Sequence, residues 1–240
     1  YEWIWDGMHL WIVQQDFEPQ PTKSTVFSSI PTCQDPVLLE DFVFLLLKHE
    51  ESIESGVWKK IDSVKIFRNC NLPVSRLWIL NDLKIFKGML LGNTSRDLEC
   101  ELKKLLESPV VIRTDLQRID ESDCGYMLPR SSTIDRLEDA IEFILKTIKA
   151  VSNDQEERLE RLCFIFHHYI PSRSSAICLA EPGNQKVRID SIWGLPDGLH
   201  YYPHDSYELN SNGHGKIKRY RRFKEECLDL DPLGNWIPRK

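Results

Sequence analysis

The chain has 240 residues, of which 41% are apolar and 28% charged, and carries a net charge of −6. That length and composition suit a globular protein with a substantial core, in one large domain or two smaller ones. They exclude a membrane-spanning helix, because no run approaches ~20 apolar residues, and the mild negative charge argues against nucleic acid as the main partner. Seven cysteines, at 33, 70, 100, 124, 163, 178 and 227, form no CxxC pair. Scattered and odd in number, they read as reduced thiols of a cytoplasmic protein rather than as a zinc site. Nothing resembles a signal peptide, and a chain opening on Tyr1 reads as a segment of a longer one.

Residues 1–16, YEWIWDGMHLWIVQQD, predict a β-hairpin. Asp6-Gly7 is a two-residue turn signal, with Trp3, Trp5, Leu10 and Ile12 alternating across the paired strands. Residues 17–35 are rich in Pro, Ser and Thr and read as a linker. Asp35-Pro36 then reads as N-cap and first turn of a buried helix whose apolar residues reach Leu47.

A segment over 59–73, KKIDSVKIFRNCNLP, ends in Asn71, the non-glycine residue best suited to a left-handed helix end. Leu77–Leu80 predicts a strand, Asn81-Asp82 a turn, and 95–107 a helix with Leu98, Leu102, Leu105 and Leu106 on one face. PVVIRTDL (109–116) reads as a buried strand that Arg113 ends, its side chain emerging at a sheet edge into a cleft. An ion pair with a nearby carboxylate is the alternative role. Arg130, in the loop 117–133, is a further candidate for anion binding. A helix is predicted over 133–151, capped by Thr133, with Ile134, Leu137, Ile141, Ile144 and Ile148 as its stripe. Residues 152–162 are polar and extend into another short helix.

Residues 164–209 predict three short strands, FIFHHYI, SSAICLAE and KVRIDSIW, with a turn at Glu181-Pro182-Gly183-Asn184. Gly194-Leu195-Pro196-Asp197-Gly198 is a breaker cluster where backbone could approach a ligand. His200, His204 and Asp205 could bind metal on a helix, but Pro203 and the preceding aromatics favour strand or turn. KIKRYRRFKEE (216–226) interleaves cations with aromatics, and reads either as a nucleic-acid surface or as a half-exposed strand. The last residues, LDLDPLGNWIPRK, read as a loop.

The order HHYIP, SSAICLA, WGLPDG, PHDSY resembles the nucleotide-binding domain of the phosphoenolpyruvate synthase, pyruvate phosphate dikinase and rifampicin phosphotransferase family, whose motifs are VQxMV, SGVAFT, GLGE and VxPDxY. KKIDSVKIFRNCNLPV resembles that family's opening motif, VIRTD its VRSS, and EWIWDG with LWIVQQD its closing IEWA and QxRP strands. The resemblance implies an α/β (α+β) ATP-grasp-like fold of two lobes with mixed or antiparallel sheets. It divides the chain into a hairpin and linker (1–34), an α/β lobe (35–160) and a mainly β lobe (161–240).

It further implies Mg-ATP between the lobes. Lys60 and Arg113 would neutralise phosphate, and His167, Tyr169 and Ile170 would form the hinge beside adenine. Asp197 would lie near the ribose or a magnesium ion, with Glu2 as a second metal ligand. Lys60 as a solvated helix residue is the competing reading of that lysine. Ala176 stands where the family has Gly, His167 where it has Gln, His204 where it has Pro, Asp197 where it has Glu and Asp16 where it has Arg. Lys59 and Ile61 replace the glycines flanking the lysine. Two functions are thus expected: an ATP-dependent phosphotransferase segment, or a catalytically altered binding module. The implied partners are a nucleotide and other domains of the parent chain, and no membrane.

Overall fold

The computed structural model describes residues 2–6, 8, 10–14, 46–49, 53, 54, 56–117, 128–154, 156–180, 183–210, 215–231 and 236–240. In chain order the strands are β1 (Glu2–Trp5), β2 (Leu10–Gln14), β3 (Lys48–His49), β4 (Trp78–Leu80), β5 (Val110–Leu116), β6 (Thr133–Ile134), β7 (Leu162–His168), β8 (Ser174–Ala180), β9 (Lys186–Trp193), β10 (Asp205–Asn210), β11 (Lys218–Tyr220), β12 (Cys227–Leu230) and β13 (Trp236–Arg239). The helices are α1 (Lys59–Asn69), α2 (Leu83–Leu90), α3 (Arg96–Leu105) and α4 (Leu137–Asp154), with 3-10 turns at Glu156–Arg161 and Pro196–His200. The fold is α+β, its strands assembled antiparallel in three sheets. Two compact units result, one from 1–31, 67–75 and 170–240, the other from 32–66 and 76–169.

In the second unit the strand order is β3-β4-β7-β5-β6. Side chains alternate across a sheet, so each strand feeds two faces. Leu80, Ile112, Phe164 and Phe166 point into the larger core, where Phe86 of α2, Leu98 and Leu102 of α3 and Ile144 and Ile148 of α4 close over them. Phe86 meets Phe164 edge to face, centroids 5.6 Å apart. Ile79, Cys163 and Ile165 face the other way, onto Trp58 and Ile61 at the start of α1. A strand buried on both faces reads as an unbroken apolar run, as LCFIF does. The 164–170 stretch was expected with the strands that follow it. Its hydrogen-bond partners are instead β4 and β5.

Asp82 opens α2, a helix not foreseen: its carboxylate accepts from Lys84 N and Ile85 N, at 2.8 and 3.2 Å. Buried Glu101 accepts from the backbone N–H groups of Leu46 and Leu47, tying the entry to β3 onto α3. Leu46 and Leu47 are therefore bends, not helix. The rest of the helix expected from Asp35 lies outside the described residues, as do Asp16 and 118–127 of the loop before Thr133. Thr133 does not cap a helix: with Ile134 it forms β6 against Val110 and Val111, and α4 begins at Leu137. The pull of an open sheet edge beside β5 outweighs the local cap signal.

In the first unit the order is β11-β10-β9-β8-β1-β2. The hairpin forms with Trp3 opposite Ile12 and Trp5 opposite Leu10. Its connection spans four residues rather than two, because Asp6 turns its carboxylate back to accept from Met8 N at 2.8 Å. β1 also pairs along β8, Glu2 opposite Ile177 through Trp5 opposite Ser174. In the stretch 228–240, expected as a loop, β12 (Cys227–Leu230) and β13 (Trp236–Arg239) instead pair as an antiparallel hairpin.

Gly194 welds that hairpin to the sheet. Its N–H donates to Arg173 O, its carbonyl accepts from Ser172 Oγ and Ser175 Oγ, and the neighbouring Leu195 N–H donates to Leu228 O at 2.8 Å. With φ at +76°, a Cβ here would lie 2.1 Å from Leu228 O. The breaker cluster thus admits another strand's backbone, where a ligand had been expected.

Asn71 adopts φ 55° and ends α1 in a Schellman motif: Leu72 N–H bonds Phe67 O and Asn71 N–H bonds Arg68 O, both at 2.9 Å. Pro73 then prevents continuation, and its carbonyl accepts from Ile12 N at 3.0 Å. Asn71→Gly is expected to leave stability unchanged or slightly raised, while Asn71→Val loses about 1–2 kcal/mol by denaturant titration. Gly194→Ala is expected to lose more than Asn71→Val in the same titration, because it adds a backbone collision to the strained φ.

Candidate functional site

Three of the sequence-derived candidates meet on one face of the second unit's sheet. Directly opposed residues share a face, and β5 pairs with β7 as Asp115–Cys163, Arg113–Ile165 and Val111–His167. Arg113, Asp115 and His167 therefore lie on the side that α1 covers. Lys60, in the first turn of α1, reaches the same strand: its Nζ donates to Thr114 O at 2.7 Å, and its backbone N–H donates to Asp115 Oδ2 at 3.1 Å.

Arg113 does not end the strand or emerge at an edge. It sits mid-β5 and is only 9% exposed. The strand runs on because its pairing with β7 continues through Thr114–Phe164, Asp115–Cys163 and Leu116–Leu162. A guanidinium this deep keeps its charge, since arginine is never deprotonated in proteins, so its neighbours must adapt. His167 does. Burial first, and then the Arg113 charge, lower its pKa to about 3, against a weaker opposing effect of its bond to the His168 carbonyl. Nδ1 lies 3.0 Å from that carbonyl, which fixes the proton on Nδ1 and leaves Nε2 as a lone pair. Nε2 is buried and has no hydrogen-bond partner among the described residues.

His168 packs edge-on to Trp78 at 4.9 Å. Its imidazole is also held below the ordinary value, chiefly by burial. Tyr169 follows, its N–H bonded to Pro109 O at 2.8 Å. Cys163, opposite Asp115, is fully buried; burial and then the Asp115 charge raise its pKa, so it stays a thiol rather than a nucleophile.

Ile170, Asp197 and Glu2 belong to the first unit. Ile170 is buried. Asp197 is half-buried in the Pro196–His200 turn, which packs on β1, β8 and β9. Glu2 occupies the β1 position opposite Ile177. His204 Nε2 stands 3.9 Å from Asp190 Oδ1, and Asp205 is committed to Lys224 at 2.7 Å. His200, His204 and Asp205 thus do not converge. Among the described residues no group of three or more His, Cys, Asp or Glu side chains could hold a metal ion, and no helix is long and apolar enough to cross a membrane. The described cysteines 70, 100, 163 and 227 are free thiols. Sequence reasoning missed Asp115, whose only signal was an acid inside an apolar strand.

The His167 pKa carries a pH dependence. In the folded chain it is lowered from 6.5 to about 3, so the unfolded chain binds a proton that the folded chain refuses between those values. Stability from this residue is complete above pH ~6.5 and falls by about 1.4 kcal/mol per pH unit below it. Denaturant midpoints measured as the pH is lowered should show this loss, and His167→Gln should flatten that part of the profile.

No family model matches the chain, and no curated protein matches it in sequence.

Proposed function

We infer that the chain is an ATP-binding segment of a phosphotransferase resembling phosphoenolpyruvate synthase. The observation that carries this reading is the pairing of β1 with β8. It joins EWIW and LWIVQ to SSAICLA in one sheet, with the 194–198 turn packed beside them. These segments are far apart in sequence, and each carries a motif of the resemblance.

The second unit supports it independently. Lys60 reaches the strand at Thr114, next to Arg113, and the two are a pair of cations suited to triphosphate charge. The unpartnered Nε2 of His167 is a buried acceptor, the polarity that an exocyclic amino group requires. In this reading Lys60 and Arg113 hold phosphate, and His167 and Tyr169 border the base. Magnesium keeps most of its waters and takes one or two carboxylates besides phosphate oxygens. Bound magnesium would supply charge neutralisation at the phosphates. The chain's own task is to orient the nucleotide and exclude water.

One observation favours the second reading, a binding module with altered chemistry. The first turn of α1, where glycines would open backbone N–H groups to phosphate, is capped by the chain's own Asp115. Calorimetry with ATP and ADP, with and without magnesium, separates the two. Tight binding that needs magnesium, weakened roughly ten- to a hundredfold in Lys60→Ala, is the expected result. Arg113→Lys, which keeps the charge but loses the planar fork, should also bind more weakly. Absence of binding by the folded wild-type chain would leave the module reading.

A further inference from the structure

The segment 216–224, KIKRYRRFK, holds six cations and no acid. The sequence left two readings of it, a nucleic-acid surface or a half-exposed strand leading away from the nucleotide. β11 is the outer edge of its sheet, and all three of its residues are exposed. Tyr220 is 50% and Phe223 82% exposed, and Trp193, at the end of β9, is 61% exposed. These rings contribute little to the core. Of the six cations only Lys224 makes an ion pair with a carboxylate among the described residues.

The segment is nevertheless held in place. Asp205 accepts from Arg222 N at 2.9 Å and from Lys224 Nζ at 2.7 Å. Lys224 Nζ in turn lies 5.5 Å above the centre of the Trp193 ring. One carboxylate thus pins the end of the basic run beside an exposed indole. Next to that indole is a cavity of about 370 Å³, lined in part by Ser172, Arg173, Cys227 and Arg239. Its wall is mixed, since Glu225, Glu226 and Asp229 also line it. A uniformly anionic ligand gains little there. A nucleobase, with a stacking face and both donors and acceptors on its rim, suits it better.

We propose that this edge binds single-stranded nucleic acid, with phosphates along 216–222 and a base against Trp193. The arrangement joins a cationic track to exposed aromatic platforms, the combination by which single strands are held without sequence preference. A duplex hides its base faces, and an acidic peptide has no use for exposed rings such as Trp193 and Phe223. Neither Lys60 nor Arg113 takes part, so this proposal stands or falls apart from ATP binding.

The test is fluorescence anisotropy of labelled oligothymidylate and oligouridylate with the full chain over a range of salt. Binding should weaken with salt. Replacing three cations together, Lys218→Gln, Arg219→Gln and Arg221→Gln, should reduce the log–log salt slope by roughly 2, at about 0.7 per phosphate contact. Trp193→Ala should weaken binding roughly five- to a hundredfold, with Phe223→Ala as a second aromatic variant and Trp193→Phe restoring part of the loss. Circular dichroism should be unchanged, because these side chains are exposed. The proposal is overturned if folded wild type leaves the anisotropy unchanged. It is equally overturned if both aromatic variants bind as wild type, if duplex binds as tightly as single strand, or if polyglutamate displaces the oligonucleotide as well as unlabelled oligonucleotide does.

Discussion

Arg113 sets the terms for the second unit. A guanidinium buried in the middle of a strand cannot lose its proton, so the surrounding face must supply polarity or give up charge. His167, on the next strand, does the second and stays neutral, while Asp115 lies two residues along on the same face. The same Asp115 anchors the first turn of α1, and Lys60 reaches back to the carbonyl beside Arg113. The helix is held on this face by polar bonds at its start and by Ile61 and Trp58 in apolar contact. The opposite face, filled by α2, α3 and α4, needs no such compensation and is almost wholly apolar.

The first unit is organised by backbone approach. Gly194 receives two serine hydroxyls on its carbonyl, and a foreign carbonyl passes where its Cβ would be. This closure aligns β12 with the end of β9 and leaves Trp193 outside, because successive residues point to opposite faces and Ile192 has taken the buried one. The exposed indole therefore follows from the register of β9.

Much of this was legible in the sequence, and the failures have physical reasons. β8, β9 and α3 follow from periodicity, and the left-handed Asn71 from the tolerance of its side chain for that conformation. The partners of β7 could not be read, because a run buried on both faces looks the same in either sheet. α2 hid behind an Asn-Asp pair that signals a turn as strongly as it signals a cap. The C-terminal hairpin hid behind Pro232 and Gly234. At the site, the residue types were visible, but Arg113 was expected to surface and did not. That Lys60 would meet Asp115 was invisible, since the two lie on different elements and their bond is purely tertiary.

The pairing of β1 with β8 also has a meaning in time. The hairpin leaves the ribosome long before Ser174–Ala180 exists, and two strands alone are marginally stable in water. Until β8 arrives, the edge of β1 that will meet it has no permanent neighbour. Loop-closure entropy rises only slowly with the length of chain between them, so the cost falls on rate more than on final stability. During that interval Trp3 and Trp5 form part of an unfinished sheet, an arrangement open to misassembly.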